Sequence, residues 1–133
     1  MALLLVGACG PDETVEPSAL QYDNYGPIIL RPDTATVGRP VTISVTTFGY
    51  PCRHMGSTDV TVSGDGALIE PFDVYVDPGE HGACIRIVSV FRHEASVSFD
   101  TPGLKTLVFR GRHVDTYQDL DEPLDLTSWI VIE

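Results

Sequence analysis

The sequence has few positive charges. Eight Lys and Arg stand against nineteen Asp and Glu in 133 residues, giving a formal net charge of −11 at pH 7. All eight cations lie between Arg31 and Arg112, where nine carboxylates nearly balance them, so the excess acidity belongs to the two flanks. Nucleic-acid affinity rests mainly on cationic contacts to phosphates. We therefore predict no DNA or RNA partner.

The sequence also lacks the motifs that common catalytic sites use. It contains no Gly-x-Ser-x-Gly, no glycine loop that would hold a phosphate, and no Ser/His/Asp order that a strand scaffold would assemble. Carboxylates are plentiful, but they are common in any acidic protein. We predict a protein that is not an enzyme and needs no cofactor, and a small hydrolase is kept as a distant alternative.

Long apolar runs are missing as well. The N-terminal run is too short to span a bilayer as a helix, which needs about 20 apolar residues. It ends in Val6-Gly7-Ala8-Cys9, which resembles the lipobox of bacterial lipoproteins, where the cysteine is lipidated before cleavage. No Lys or Arg precedes the run. A start codon assigned downstream of the true one would explain this absence. The alternative is a buried first strand with Cys9 as an ordinary thiol.

This resemblance implies a location at the membrane and separates a signal from the rest of the chain. Residues 1–9 would be the signal and lipobox, with the membrane reached through lipid on Cys9. Gly10 follows where inner-membrane retention signals usually carry Asp, which favours the outer membrane. Residues 10–26 mix Pro, Gly and carboxylates with little periodicity, so we predict an acidic tether there.

Residues 27–133 show the pattern of one all-β domain. In the stretch 40–48, Val41, Ile43, Val45 and Thr47 fall on one face of a strand. Similar short runs alternate with turn residues roughly every ten positions, and no helix is available for parallel crossovers. We predict an antiparallel β-sandwich of seven to nine short strands.

Several local expectations follow from the same pattern. Ala95, Val97 and Phe99 should face inward, and so should Leu107 and Phe109. The same alternation assigns one face to Phe72, Val74 and Val76. Residues 83–91 are apolar at both parities and should form a central strand. Residues 115–125 should be an exposed connection, and Trp129 should pack in the core within a closing strand.

Two stretches, PDTATVGRPVTISVTT and FDTPGLKTLVFRGR, are similar to the opening strand pair and the penultimate strand of bacterial Ig-like domains. This resemblance covers about 80 residues and implies an Ig-like sandwich. The Cys…Trp…Cys spacing of antibody domains is absent, because Trp129 is the only tryptophan.

Three cysteines in an exported protein divide into one for the lipid and two for each other. We therefore predict a disulfide between Cys52 and Cys84. Closing a loop of this length would stabilise the fold by roughly 3–4 kcal/mol on the chain-entropy model. The alternative is two free thiols.

Histidines and a thioether near the predicted disulfide suggest a second kind of site. His54 and Met55 follow Cys52, and His81 precedes Cys84. Imidazole and thioether ligands suit copper, although the spacing differs from the copper-binding loop of blue-copper proteins. The alternative is that these side chains are simply solvated or packed. His93 and His113 share parity with core residues and are expected to be hydrogen-bonded rather than ligating.

The C-terminal third contains charges of both signs. Arg110 and Arg112 could form a patch for an anionic partner, or they could pair with the acidic tail that follows. Asp119, Asp121, Glu122 and Asp125 offer oxygen ligands for Ca²⁺, but the EF-hand pattern is absent and a solvated acidic loop is the alternative.

The functional hypothesis combines these observations. We predict a non-enzymatic envelope lipoprotein, on the periplasmic or surface side of the membrane, that serves as a binding or structural module for another envelope or surface protein. The second hypothesis is a periplasmic copper-binding protein that uses His54, Met55 and His81.

Overall fold

The computed structural model describes residues 12–21 and 28–133, and within these ranges every regular element is a β-strand. In chain order the strands are β1 (Glu13–Pro17), β2 (Ala19–Leu20), β3 (Ile29–Leu30), β4 (Thr34–Ala35), β5 (Val41–Gly49), β6 (Arg53–Val62), β7 (Gly66–Val76), β8 (Ser89–Val97), β9 (Gly103–Asp115) and β10 (Leu120–Ile132). The all-β prediction is confirmed, with ten strands instead of seven to nine. The resemblance to Ig-like domains stays a prediction.

The ten strands are hydrogen-bonded into one sheet that curls on itself. Neighbours are mostly antiparallel, while β2–β9, β4–β10 and β7–β9 are parallel pairs. The longest ladder is the β9–β10 hairpin, which pairs Asp115 with Leu120 at its turn and Gly103 with Ile132 at its open end. β5 pairs with β8 along its whole length.

The hydrophobic core lies between the β5–β8 pair on one side and β7, β9 and β10 on the other. Alternate residues of each strand point inward, because successive side chains of a strand lie on opposite faces. The inward positions predicted for β5, β8 and β9 are confirmed. The buried members of the core cluster are Leu20, Ile43, Val45, Ala67, Ile69, Ala95, Val97, Phe99, Leu107, Phe109, Ile130 and Ile132.

The described part of the N-terminal segment is built into the sheet, so the tether prediction is wrong there. β1 pairs antiparallel with β7, beginning with Glu13 opposite Val76. The chain then passes between β7 and β9. The Ser18 amide donates to the Pro71 carbonyl, and the Arg112 amide donates to the Ser18 carbonyl, each at 2.9 Å.

Burial explains why this segment is ordered despite its polar composition. Ser18, Ala19, Leu20 and Gln21 are all buried, and Leu20 belongs to the core cluster. Gly111 of β9 allows the close approach, because a Cβ at that position would collide with the Ser18 carbonyl. Backbone pairing and the burial of Leu20 therefore outweigh the Pro, Gly and carboxylate content that had indicated a tether.

The face of β7 that points into the core is opposite to the predicted one. Phe72, Val74 and Val76 are only half-buried, whereas Asp73 is fully buried. Because side chains alternate along a strand, Asp73 points to the same inner face as Ile69. The apolar pattern misled the assignment because one of the inward residues is a carboxylate.

The apolar run 83–91 does not form the predicted central strand. β8 begins only at Ser89, and the side chains of Ile85 and Ile87 are exposed. The disulfide holds Cys84 beside the turn that follows β5, where β5 has no further residues to pair with. Residues 83–88 therefore stay outside the sheet, whereas 89–91 form the start of β8.

β10 is the predicted closing strand, but its inward residues differ from the prediction. Ile130 and Ile132 are buried, whereas Trp129 lies on the outer face and is 50% exposed. Neighbouring positions on a strand point to opposite faces, so burying the isoleucines leaves the tryptophan outside. The stretch 115–125 is only partly a connection, since from Leu120 onward it pairs with β9.

The strands run between two ends, which we call the disulfide end and the far end. At the disulfide end lie the start of β1, the end of β7, the β5–β6 turn and the β9–β10 turn. At the far end lie the β6–β7 turn, the start of β9 and the end of β10.

Candidate functional site

The predicted Cys52–Cys84 disulfide is confirmed, with the two Cα atoms 5.1 Å apart. Cys52 lies in the turn between β5 and β6 with a positive φ of 64°, and Cys84 comes from the segment before β8. The bridge therefore joins this segment to the turn. A cavity of about 470 Å³ opens beside the bridge, and its lining includes Tyr50, His54, Val76 and Ile87 as well as both cysteines.

The proposed copper ligands are not directed at one point. His54 and Met55 are consecutive residues in a regular part of the β6–β7 ladder, opposite Val74 and Asp73. Consecutive strand residues point to opposite faces, so these two side chains do not converge. His54 lines the cavity beside the disulfide, whereas Met55 and His81 are not among its lining residues. In residues 12–21 and 28–133, no cluster of three or more His, Cys, Asp or Glu is placed to hold a metal ion.

Both arginines of the predicted anionic-partner patch pair with carboxylates of this chain. Arg110 donates to both oxygens of Asp125, at 3.1 and 3.2 Å. This hydrogen bonding and the carboxylate charge raise the pKa of Arg110 above its usual value. Arg112 donates to Asp121 at 2.7 Å, and a second nitrogen lies 3.4 Å from Glu16. The geometry favours the internal ion-pair alternative.

The same contacts bear on the acidic tail. Asp121 and Asp125 are engaged by Arg112 and Arg110, and a Glu122 oxygen lies 3.7 Å from Nδ1 of the half-buried His113. Three of the four oxygen donors considered for Ca²⁺ thus lie beside cations or an imidazole. The carboxylates link β10 to β9.

A polar cluster joins four parts of the chain. Its members are the buried Ser18, Asp73 and His93 and the half-buried Thr58, and we call these four residues the buried cluster. Ser18 Oγ donates to Asp73 Oδ1 at 2.8 Å and lies 3.4 Å from His93 Nε2. Thr58 Oγ1 lies 2.9 Å from His93 Nδ1, which joins β6 to β8 across the curl of the sheet. Asp73 Oδ2 has no hydrogen-bond partner among the described residues. His93 is therefore hydrogen-bonded, as expected.

The buried cluster contains the residue types of a hydrolase triad, but their connections differ. In a triad the histidine accepts the serine proton on one nitrogen, while the carboxylate orients the other nitrogen. Here Ser18 donates to the carboxylate itself, and Asp73 lies 3.5 Å from the same Nε2 that faces Ser18. The serine and aspartate are 0% exposed, so a substrate has no path to them. This geometry supports a structural role.

Sequence reasoning missed three members of the buried cluster. Ser18 had been placed in the tether, Asp73 stood on the face opposite to Phe72, Val74 and Val76, and Thr58 had not been considered. Only His93 could be predicted to point inward, because it lies two positions before Ala95 and therefore on the same face of the strand. The inward parity of Asp73 becomes visible only once β7 is known to bury the face of Ile69.

Three large apolar side chains lie on the outer face of the β9–β10 hairpin toward the far end. Trp129 and Val131 alternate with the two buried isoleucines of β10, and Leu104 lies directly opposite Val131. We call Leu104, Trp129 and Val131 the hairpin patch. On its other edge, β10 pairs within the described residues only with β4, at its last two positions. Beside the hairpin patch this edge is occupied at Val131, whose amide donates to the Asp33 carbonyl at 3.0 Å, and from Leu120 to Ile130 it has no strand partner among the described residues.

The lipobox and Cys9 lie outside the described residues. In the described part of the chain no helix is long and apolar enough to cross a membrane. Comparison with protein-family models, with curated proteins and with solved structures finds no match to this chain.

Proposed function

We propose that the chain is a lipid-anchored protein of the bacterial envelope whose domain is a non-enzymatic binding module for another envelope or surface protein. The observation that carries this proposal is the hairpin patch, where the only tryptophan of the chain is half-exposed beside two exposed aliphatic residues. Tryptophan is enriched among the residues that dominate binding energy at protein interfaces. The lipobox supports the anchor.

The positions of the two ends support this proposal. β1 begins at the disulfide end, and Cys9 precedes the first described residue, Asp12, by three positions. Trp129 lies opposite Thr106, which in turn pairs with Gly66 at the start of β7. An anchor on Cys9 would hold the disulfide end at the membrane and direct the hairpin patch away from it. Such an arrangement suits a module that presents a surface to a partner.

The strand edge beside the hairpin patch indicates how a partner would bind. An extended segment can add to an open edge through backbone hydrogen bonds, with side-chain pockets giving specificity. Pro123, near the start of β10, lacks an amide donor and is tolerated at an edge. Beside Trp129 the edge is partly occupied, because the Val131 amide donates to the Asp33 carbonyl and Arg31 Nε donates to Ser128 Oγ. The stretch 124–127 has no paired strand on this edge within the described residues. We propose that the partner contributes an extended apolar segment to this edge.

The anchor is tested by mass spectrometry of the protein from its own host. The native protein should carry an added acyl mass on Cys9 and enter the detergent phase. The Cys9→Ser variant should remain in the aqueous phase, since it has no thiol to acylate. Native protein that retains an unmodified Met1 N-terminus would contradict the proposed lipid anchor on Cys9.

The binding surface is tested by photo-crosslinking in the intact envelope. A benzophenone side chain in place of Leu104 should give one dominant protein adduct, and Trp129→Ser in the same protein should abolish it. A matched probe in place of Val62, which is exposed on β6 at the far end, should give no such adduct. The purified partner should shift the emission of Trp129. Equal adduct yields at positions 104 and 62, or adducts unaffected by Trp129→Ser, would contradict the assignment of the hairpin patch as the binding surface.

A further inference from the structure

A second apolar surface lies at the disulfide end. The segment between Cys84 and the start of β8 exposes four aliphatic side chains, of which Ile85 is 74% exposed and Ile87 is 64% exposed. Val88 and Val90 are also exposed. We call Ile85, Ile87, Val88 and Val90 the disulfide-end patch. Contiguous exposed apolar residues of this kind mark interaction sites in soluble domains.

The disulfide-end patch is held close to the first described residue of the chain. The Asp77 amide donates to the Asp12 carbonyl at 3.0 Å, and the preceding Val76 amide donates to the Cys52 carbonyl at 2.8 Å. Cys52 is bonded to Cys84, next to the patch. A short series of direct contacts thus joins Asp12 to the patch.

The length of chain before Asp12 limits the distance to a lipid. Cys9 is three residues from Asp12, and three fully extended residues span about 10 Å. A lipid on Cys9 would therefore hold the disulfide end within about that distance of the bilayer surface. The apolar patch at this end would then face the lipid and not the bulk solvent.

We propose that the disulfide-end patch docks on the lipid surface beside the anchor, which rests on the proposed anchor at Cys9. Aliphatic side chains bury at the boundary between headgroups and acyl chains, and a lipid anchor combined with a second contact holds a protein more firmly than the anchor alone. The disulfide joins the segment to the β5–β6 turn, so its backbone is already positioned before binding. Docking orients the domain with the hairpin patch outward.

The charges around the disulfide-end patch indicate which lipid it faces. Asp77 and Glu80 lie in the loop before the patch, and the β9–β10 turn at the same end carries Asp115 and Asp119. Arg86 is the one cation within the patch segment 84–90. An anionic surface would repel these carboxylates. The proposed occupant is therefore a surface of zwitterionic lipid headgroups.

The test uses the acylated protein on phosphatidylcholine vesicles, with a benzophenone side chain in place of Ile87. Illumination should yield adducts that carry the mass of the lipid. The matched probe replaces Leu104, which is 66% exposed at the far end, and should yield at least about tenfold fewer lipid adducts if the end near the anchor docks. Replacing part of the lipid with phosphatidylglycerol at low salt should lower the yield at position 87. Peptide mapping of the disulfide checks that each variant is folded.

The outcomes separate this inference from the proposed anchor. If Cys9 carries acyl mass and position 87 gives no more lipid adducts than position 104, docking is overturned while the anchor stands. If Cys9 is not acylated, the unmodified protein on the same vesicles still decides whether the patch binds lipid. Protein adducts at position 87 in the intact envelope, without lipid adducts there, would assign the patch to a protein partner and also overturn docking.

Discussion

Ser18 donates a hydrogen bond of 2.8 Å from Oγ to Asp73 Oδ1, although the two residues are 55 positions apart in the chain. Both side chains are buried, and the contact fastens the N-terminal segment to β7. His93 and Thr58 extend the contact to β8 and β6. The buried cluster therefore joins the segment nearest the proposed anchor to both sides of the core.

Replacing Ser18 with alanine tests how much this contact stabilises the fold. Ser18→Ala removes the donor to a buried carboxylate whose other oxygen already has no partner among the described residues. We expect the free energy of unfolding to fall by about 1–3 kcal/mol, the range for a buried group left unsatisfied. Urea denaturation followed by circular dichroism measures it. Ser96→Ala, on the exposed side of β8, is the control, and equal effects from the two variants would contradict a special role for Ser18.

Leu20 tests whether the N-terminal segment belongs to the domain. Leu20→Ala should lower the free energy of unfolding by about 2–5 kcal/mol, because it leaves a cavity in the core. Val15→Ala on β1 removes an exposed side chain and should change stability by at most about 1 kcal/mol. Thermal and urea unfolding of both variants give the comparison. If the segment were a tether, neither substitution would have a measurable effect.

The disulfide should contribute strongly to stability. Replacing both Cys52 and Cys84 with alanine should lower the free energy of unfolding by about 3–4 kcal/mol, since the unfolded chain regains the freedom of a closed loop. Denaturant unfolding measures this difference, and Ser89→Ala at the same end is a matched control. Peptide mapping without reductant should recover Cys52 and Cys84 in one linked pair. Complete alkylation of both thiols in the native, unreduced protein is the result that contradicts the bridge.

Two neighbouring residues of β10 should respond very differently to truncation. Ile130→Ala should cost about 2–5 kcal/mol because Ile130 is fully buried in the core. Trp129→Ala should cost at most about 1.5 kcal/mol, since about half of the side chain is already in contact with water. Circular dichroism during urea unfolding compares them. Trp129 should also be readily quenched by iodide in the native monomer, and a blue-shifted emission resistant to iodide would show that the ring is buried.

Local chemistry alone was sufficient to predict a large part of the fold. Apolar residues at alternating positions, β-branched in β5, predicted the strands β5, β8 and β9, because each strand has two faces whatever its neighbours are. The cysteines predicted the Cys52–Cys84 pair, since the resemblance to a lipobox assigns Cys9 to a lipid and leaves one pair of thiols. These inferences needed no knowledge of which strands are adjacent.

The candidate surfaces depended on the tertiary structure. Alternation shows that a strand has two faces, but the partners of that strand decide which face is buried. Asp73 could therefore replace Val74 in the interior, and Trp129 could be left outside by Ile130 and Ile132. The buried cluster requires Ser18 to enter between β7 and β9, a pairing set by residues far away in sequence. The sequence by itself determined the strands β5, β8 and β9 and the bridge, and only the tertiary structure decided which faces meet solvent, because burial is a property of neighbours and not of single residues.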